Sequence, residues 1–188
     1  GLTHLDLPEA LVDELCRCAR WHDWGKAHEV WQAFANAGSE LLAKSTHYGN
    51  PRAMNGFRHE LASAIAAATQ GAPFLAQYLI AAHHGKVRES LAPPHPNEPL
   101  NTQTLRGVEL GSALPVVEIE GIETLPTTKL TFPPGFTYQH WKPQVMKLLR
   151  DKAYGPFRLS YLEALIRNAD VKASEYRSTP YFDPPHLF

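Results

Sequence analysis

The chain has 188 residues with a formal net charge of −1, and 44% of its residues are hydrophobic. This composition predicts a globular domain with its own core and excludes an intrinsically disordered protein. The near-zero charge also excludes a general nucleic-acid coat protein, so contact with a polyanion must depend on a local patch or on a partner.

Four helices are predicted in the first half of the chain. Their apolar residues recur every three to four positions, which is typical of helices with one buried face. Gly25 and Gly85 follow the first and fourth helices, at a position where glycine commonly ends a helix. The predicted ranges are about 8–23, 26–35, 59–69 and 73–84, with a polar loop over 36–57.

Residues 87–136 differ in character from the helical part. They hold half of the sixteen prolines and show little helical period. We predict a short strand at Val116 to Ile119, with 107–110 as its candidate partner in a small β-hairpin. A segment of this length inside a compact domain is usually a functional or docking insertion.

Two further helices are predicted, at about 138–152 and 156–176. The fold prediction is therefore an all-α bundle that forms a single domain over 1–178, with a long proline-rich insertion at 87–136. Residues 179–188 are interpreted as a tail or the start of a linker.

The two cysteines, Cys16 and Cys18, point to different faces of the first predicted helix and are not expected to pair. The sequence contains no run of about 18 apolar residues that would span a membrane. We therefore expect a cytoplasmic, reducing setting without membrane contact.

Asp170 lies within the last predicted helix, on or beside its apolar stripe. Ile166 precedes it by four residues and Ala173 follows it by three. A carboxylate in such a position is costly unless a cation or several hydrogen-bond donors meet it. Asp170 is therefore interpreted as a functional acid.

Histidines recur at the ends of the other predicted helices. His22 and Asp23 close the first helix, His59 opens the third, and His83 and His84 close the fourth. Each of these motifs, taken alone, could equally be an ordinary core, helix-cap or surface residue. Together they predict a dinuclear metal centre, because several helices bring imidazole and carboxylate ligands to one pole and a carboxylate such as Asp23 can bridge two ions.

Three basic residues follow these motifs closely. Lys26 lies three residues after Asp23, and Lys86 and Arg88 follow the histidine pair. Each is a candidate for neutralising a substrate phosphate. Ordinary solvated charge is the alternative for all three.

The motifs His22-Asp23-Trp24-Gly25-Lys26, Arg58-His59-Glu60, His83-His84-Gly85-Lys86 and Ala169-Asp170 occur in the order and spacing of the HD phosphohydrolase superfamily. More narrowly, the chain resembles the HD nuclease domain of the CRISPR type I helicase-nuclease, in its fused or stand-alone form. The stretch 155–175 strengthens this likeness, which covers about 9–86 and 138–176.

The resemblance implies a metal-dependent nuclease that hydrolyses single-stranded DNA in antiviral defence, with two metal ions that activate water. Its expected partners are a CRISPR helicase and an RNA-guided surveillance complex. Asp23 and Lys26 are the expected catalytic residues, and Lys86 and Arg88 are expected to bind substrate.

The resemblance also implies a ligand set. Asp23 corresponds to the bridging carboxylate. His59, His83 and His84 correspond to ligands of one ion, and His22 and Asp170 to ligands of the other. The expected ions are divalent Mn, Fe, Co or Ni.

One departure from the family concerns a further metal-binding histidine upstream of the HD pair. His4 is the only residue of this type before the first helix. We expect that the usual histidine was lost with a missing N-terminal segment and that the ion at His22 and Asp170 binds more weakly.

Two alternatives remain open. Other HD proteins hydrolyse nucleotides or cyclic nucleotides, which a small closed pocket would favour. The chain could also be a non-catalytic metal-binding or docking module that works through its insertion and its aromatic tail.

Overall fold

The structure, a computed structural model, describes residues 7–85, 87–91, 104–119, 121–132 and 136–176. Within these ranges the six predicted helices are all present. They are α1 (Glu9–Trp21), α2 (Glu29–Phe34), α3 (His59–Thr69), α4 (Phe74–Ala82), α5 (Tyr138–Arg150) and α6 (Gly155–Tyr176). The predicted boundary at 178 and the tail 179–188 lie outside the described residues.

The helices α3 and α4 form the centre of the core. The sequence of α4 is apolar around most of its circumference, so it is buried on nearly every side. Residues 60–67 of α3 are all buried, and most of them are small. Because a short connection joins the two helices as an antiparallel pair, the start of α3 and the end of α4 lie at the same pole.

The segment after α1 differs from the prediction. Helix α1 ends at Trp21, and Trp24–Ala27 forms a 3₁₀ turn before α2. Gly25 does not cap a helix: a Cβ on this residue would lie 2.1 Å from the His59 carbonyl oxygen and 2.9 Å from the Ala62 Cβ. The glycine is required because the turn packs directly on the first turn of α3.

Gly85 meets its prediction. It follows the end of α4 with φ +70, the left-handed conformation that glycine adopts without strain, and its N–H donates to the Ala82 carbonyl at 2.6 Å.

The insertion contains three antiparallel strand pairs rather than one hairpin. The strands are β1 (Thr104–Leu105), β2 (Val108–Glu109), β3 (Ala113–Leu114), β4 (Val117–Ile119), β5 (Glu123–Leu125) and β6 (Thr128–Lys129). The predicted pairing of 116–119 with 107–110 is wrong, because β4 pairs with β5 and β1 with β2. Each of these strands pairs with the nearest following strand, which costs the least loop-closure entropy.

Strands β3 and β6 pair on either side of β4 and β5, so the two pairs are nested. Val117 faces Leu125, and Ile119 faces Glu123. Because side chains alternate along a strand and opposed residues share a face, these four side chains lie on one face of the β4–β5 hairpin.

The apolar stripe of α6 is shorter than predicted. Leu159, Leu162 and Ile166 are buried, whereas Ala169 and Ala173 are exposed. Asp170 therefore lies one turn beyond the end of the stripe, with 24% of its side chain exposed. No helix in the described part of the chain is long and apolar enough to cross a membrane.

Candidate metal centre and substrate cleft

His22 and His83 are held by the same local device. Each follows the last residue of a helix, and each ring Nδ1 lies in hydrogen-bond range of the carbonyl three residues earlier, Ala19 at 2.8 Å and Ile80 at 2.6 Å. Since a carbonyl can only accept, Nδ1 carries the proton and Nε2 of a neutral ring is left with a lone pair. Both Nε2 atoms therefore present donor electrons to the same region.

Several buried atoms in this region lack a hydrogen-bond partner among the described residues. They are Nε2 of His22, Oδ1 of Asp23 and Nε2 of His83. His22 Nε2 does lie 3.4 Å from a carboxylate oxygen of both Asp23 and Asp170, but this long contact is an electrostatic one and not a hydrogen bond of good geometry. A buried polar atom without a partner is costly, and such atoms are uncommon in folded proteins. Three of them in one cluster indicate a site for a cation.

His59 and His84 complete the cluster. The Nε2 atoms of the two rings lie 3.1 Å apart, and His59 Nε2 lies 3.4 Å from Asp23 Oδ1. His59 is the first residue of α3, and His84 lies just beyond the end of α4. The antiparallel pairing of these helices therefore brings the two residues together.

The potential ligands form two groups that share Asp23. In each group one ligand atom per residue lies within 4.8 Å of the others. One group consists of Asp23, His59, His83 and His84, and the other of His22, Asp23 and Asp170. All six predicted ligand residues are thus brought together, although they come from four separate parts of the chain.

The Ser63 side chain fixes the geometry between the two halves of this cluster. Its hydroxyl donates to the His59 carbonyl at 2.9 Å and accepts from the Gly25 N–H at 2.7 Å. Ser63 is fully buried. No role was predicted for Ser63 from the sequence, although its position four residues after His59 on a helix was a signal that its hydroxyl could reach that carbonyl.

Two histidines of the cluster, His22 and His83, have pKa values that are shifted in opposite directions. Burial and the nearby His84 and His22 lower the pKa of His83 to about 3, so its ring is neutral at pH 7. Burial also lowers the pKa of His22, but the nearby carboxylates of Asp170 and Asp23 outweigh burial and raise it to about 10. In the protein without metal, a proton on His22 therefore lies between two carboxylates.

Asp23 is held in its charged form. Burial raises the pKa of its carboxyl, but His22, His59 and Lys26 outweigh burial and hold the pKa well below its usual range. His22 likewise lowers the pKa of Asp170. Both carboxyl groups are thus anionic at neutral pH, which is the state that binds a metal ion.

The basic residues differ in their surroundings. Lys26 Nζ lies 2.6 Å from Asp23 Oδ2, directly at the cluster. The Arg88 guanidinium lies 2.9 Å from Glu163, which also accepts a hydrogen bond from the Tyr78 hydroxyl at 2.7 Å. Lys86 and His4 lie outside the described residues.

A cleft of about 640 Å³ opens beside the second ligand group, since its lining includes His22, Asp23 and Asp170 but none of the three histidines of the first group. Its floor contains His22, Asp23, Lys26 and Asp170. Two walls rise beside this floor, one from residues 41–44 and one from the β4–β5 hairpin. The sequence predicted the insertion as a functional or docking segment without placing its strands, and it did not predict that residues 41–44 would reach the site.

A comparison with known protein families identifies the family to which this chain belongs. The family model described as Cas3, HD domain matches residues 4–150, well over half of the chain. The chain belongs to the Cas3 HD-domain family. This confirms the resemblance read from the motifs. No curated protein and no solved structure gives a significant match.

Membership in this family places the chain among HD-type, metal-dependent hydrolases associated with CRISPR. The matched region includes every potential ligand except Asp170, which lies beyond residue 150. The residues present fit a divalent transition metal. They offer imidazole nitrogen and carboxylate oxygen, the donors that such ions accept, and three of these atoms are buried without another partner in the described part of the chain.

Proposed function

We propose that this HD domain is an endo- or exonuclease that hydrolyses the phosphodiester bonds of single-stranded DNA in CRISPR interference. The observation that carries the proposal is the pair of ligand groups that share Asp23. Two cations held by a common carboxylate are the arrangement that many phosphodiester hydrolases use.

The proposed ligands divide as the two groups do. His59, His83 and His84 would hold one ion, His22 and Asp170 would hold the other, and Asp23 is the residue available to both. When bound, divalent ions supply a water of lowered pKa and positive charge beside the scissile phosphate. The chain itself keeps the ligand nitrogens aligned, because the Ala19 and Ile80 carbonyls fix the rings of His22 and His83.

Lys26 has a proposed role beside the reacting phosphate. Its ammonium lies in the cleft, 2.6 Å from Asp23 Oδ2. If Asp23 turns its oxygens to the metal ions, the ammonium is free to pair with a substrate oxygen. The Lys26 ammonium also lies 5.7 Å from the centre of the Trp31 ring, and this cation–π contact helps to keep it in place.

The proposed partners follow from charge and family. A chain with a net charge of −1 carries little general attraction for DNA. We therefore propose that an RNA-guided surveillance complex recruits this domain to its target and that a CRISPR helicase delivers the DNA strand to the cleft. We propose Mn, Fe, Co or Ni as the ions, since sites of histidine and carboxylate accept any of them.

The test uses metal-stripped protein that is reloaded with each metal in turn. Single-stranded DNA, a mononucleotide and a cyclic nucleotide are offered as substrates, and products are separated by size. We expect cleavage of DNA with at least one metal and its loss in Asp23→Ala. Asp13→Ala is the matched control, because Asp13 is an exposed aspartate on α1, away from the cleft.

Two results would overturn the proposal. Turnover of the mononucleotide or the cyclic nucleotide without cleavage of DNA would indicate a nucleotide phosphohydrolase. Equal activity of the wild type and Asp23→Ala would remove the metal mechanism altogether.

A further inference from the structure

The cleft combines a charged floor with apolar walls. Leu41 and Ile122 are large apolar residues at its rim, with 48% and 67% of their surface exposed. Leu42, Val117 and Ile119 lie lower in the same walls and are partly buried. Single exposed apolar residues are ordinary, but several apolar side chains that line one cleft beside the potential metal ligands indicate a contact surface for a ligand.

The hairpin wall is fastened to the helix that carries the metal ligands. Glu123 accepts hydrogen bonds from Arg20 Nε at 3.2 Å and from Trp21 Nε1 at 3.0 Å. Arg20 and Trp21 directly precede His22. Since Glu123 shares a face of the hairpin with Val117, Ile119 and Leu125, this fastening turns that apolar face toward α1 and the cleft.

The charges of the cleft have a clear distribution. Lys26 and Lys44 lie on the side of the floor and the 41–44 wall, whereas the hairpin side carries Glu118 and the Arg20 cation that is already paired with Glu123. In the described part of the chain Lys44 forms no ion pair, so its ammonium is available to a phosphate. A strand bound here is expected to run its phosphates along the lysine side and its bases along the hairpin.

We propose that the apolar walls, with Leu41 and Ile122 as their outer contacts, seat the unpaired bases of the substrate strand, and that Glu123 positions the hairpin wall for this contact. The inference rests on the proposed function, because it assumes that the scissile phosphate lies on the floor. It adds the residues that recognise the substrate and the reason why the substrate must be unpaired. In a duplex the faces of the bases are covered by stacking, so an aliphatic wall has nothing apolar to contact, whereas a single strand exposes those faces.

The experiment compares two single strands that share a backbone. One carries bases and the other is abasic throughout, and both are phosphorothioates that resist hydrolysis, so that affinity is measured with metal present. The wild type is expected to bind the strand with bases about fivefold more tightly or better, which is the lower end of the range for a base stacked on an aromatic ring and is chosen because these walls are aliphatic. Leu41→Ser and Ile122→Ser are expected to reduce this ratio toward one.

Two matched controls lie in the same insertion but outside the cleft lining. Leu110→Ser controls for Leu41, and Val116→Ser controls for Ile122, since both are exposed apolar residues. Neither should change the ratio. Glu123→Ala should reduce it, and Glu123→Gln should restore part of it because an amide oxygen still accepts the Trp21 N–H.

The possible results separate the two proposals. An unchanged ratio in both wall variants, or no preference of the wild type for bases, would overturn the inference. Hydrolysis of bis(p-nitrophenyl) phosphate by the wild type tests the metal centre independently, because this small diester does not need the walls. If the affinity ratio falls toward one in the wall variants but the wild type does not hydrolyse the diester, the base-binding role of the walls is supported and the nuclease proposal is overturned.

Discussion

His22 and His83 meet edge to face at the centre of the site, with their ring centroids 4.9 Å apart and their planes at 81°. Each ring is turned by a carbonyl of its own helix, so the contact does not depend on a long-range hydrogen bond. Yet the two rings differ in charge, because His22 lies between two carboxylates and His83 does not. The division of the ligands into two groups leads to the first prediction, and this contrast in charge leads to the second.

The first prediction concerns metal stoichiometry. Asp170→Asn should weaken only the ion at His22, His84→Asn should weaken only the ion at His59, and Asp23→Asn should weaken both. Each loss is expected to be about tenfold or more, since each group offers only three or four ligand residues. Titration with Co²⁺, followed by absorption and calorimetry, measures the sites separately.

The same titration tests the relative strength of the sites. Within the described residues one group offers four ligand residues and the other three. We therefore expect the group with His59, His83 and His84 to bind its ion more tightly. Equal affinities in the wild type, or equal loss of both ions in Asp170→Asn, would contradict the division.

The second prediction concerns protons released on metal binding. At pH 7 the His22 ring is protonated because its pKa is about 10, and it must lose that proton to become a ligand. The His83 ring, with a pKa of about 3, has no proton to lose. Binding of a metal ion to the His22 group should therefore release about one proton from the His22 ring, whereas His83 releases none. The metal affinity of the His22 group should rise as pH increases toward 10.

Calorimetry in buffers of different ionisation enthalpy counts these protons. The His22→Asn variant is the reference, because it removes the titrating ring and keeps a ligand-sized side chain. If the wild type and this variant release the same number of protons on metal binding at pH 7, then His22 is neutral in the free protein and the prediction is wrong.

The third prediction concerns Gly25. Replacement by Ala forces a Cβ against the His59 carbonyl and the Ala62 Cβ, so the 3₁₀ turn must move away from α3. We expect a loss of about 3 kcal/mol in the free energy of unfolding and weaker metal binding, since Asp23 directly precedes the turn. Gly38→Ala is the control, because a Cβ there meets nothing within 4 Å. Denaturant unfolding compares the two, and equal stabilities would contradict the close packing.

The fourth prediction separates the two roles open to Arg88. Its ion pair with the nearly buried Glu163 indicates a structural role, because its loss leaves that carboxylate with fewer partners. Arg88→Ala should lower the free energy of unfolding by about 1–3 kcal/mol and leave the KM for DNA unchanged. Lys142→Ala, an exposed cation on α5, is the control for charge alone.

A rise in KM for DNA without loss of stability would instead restore Arg88 as a phosphate-binding residue, as the sequence had predicted. Denaturant unfolding and steady-state cleavage measure the two quantities on the same preparation.

The sequence by itself determined the helices and the identity of the candidate ligands. Helical period and residue chemistry are local properties, so His22, Asp23, His59, His83, His84 and Asp170 could be named before their distances were known.

Only the tertiary structure decided which side chains surround those ligands. The reach of the β4–β5 hairpin and the 41–44 segment over the site, the fastening at Glu123 and the contact that requires Gly25 all join residues far apart in the chain. Such contacts depend on how elements pack and on which strands pair, and no local pattern encodes them. The walls of the cleft, unlike its floor, therefore became visible only in the folded molecule.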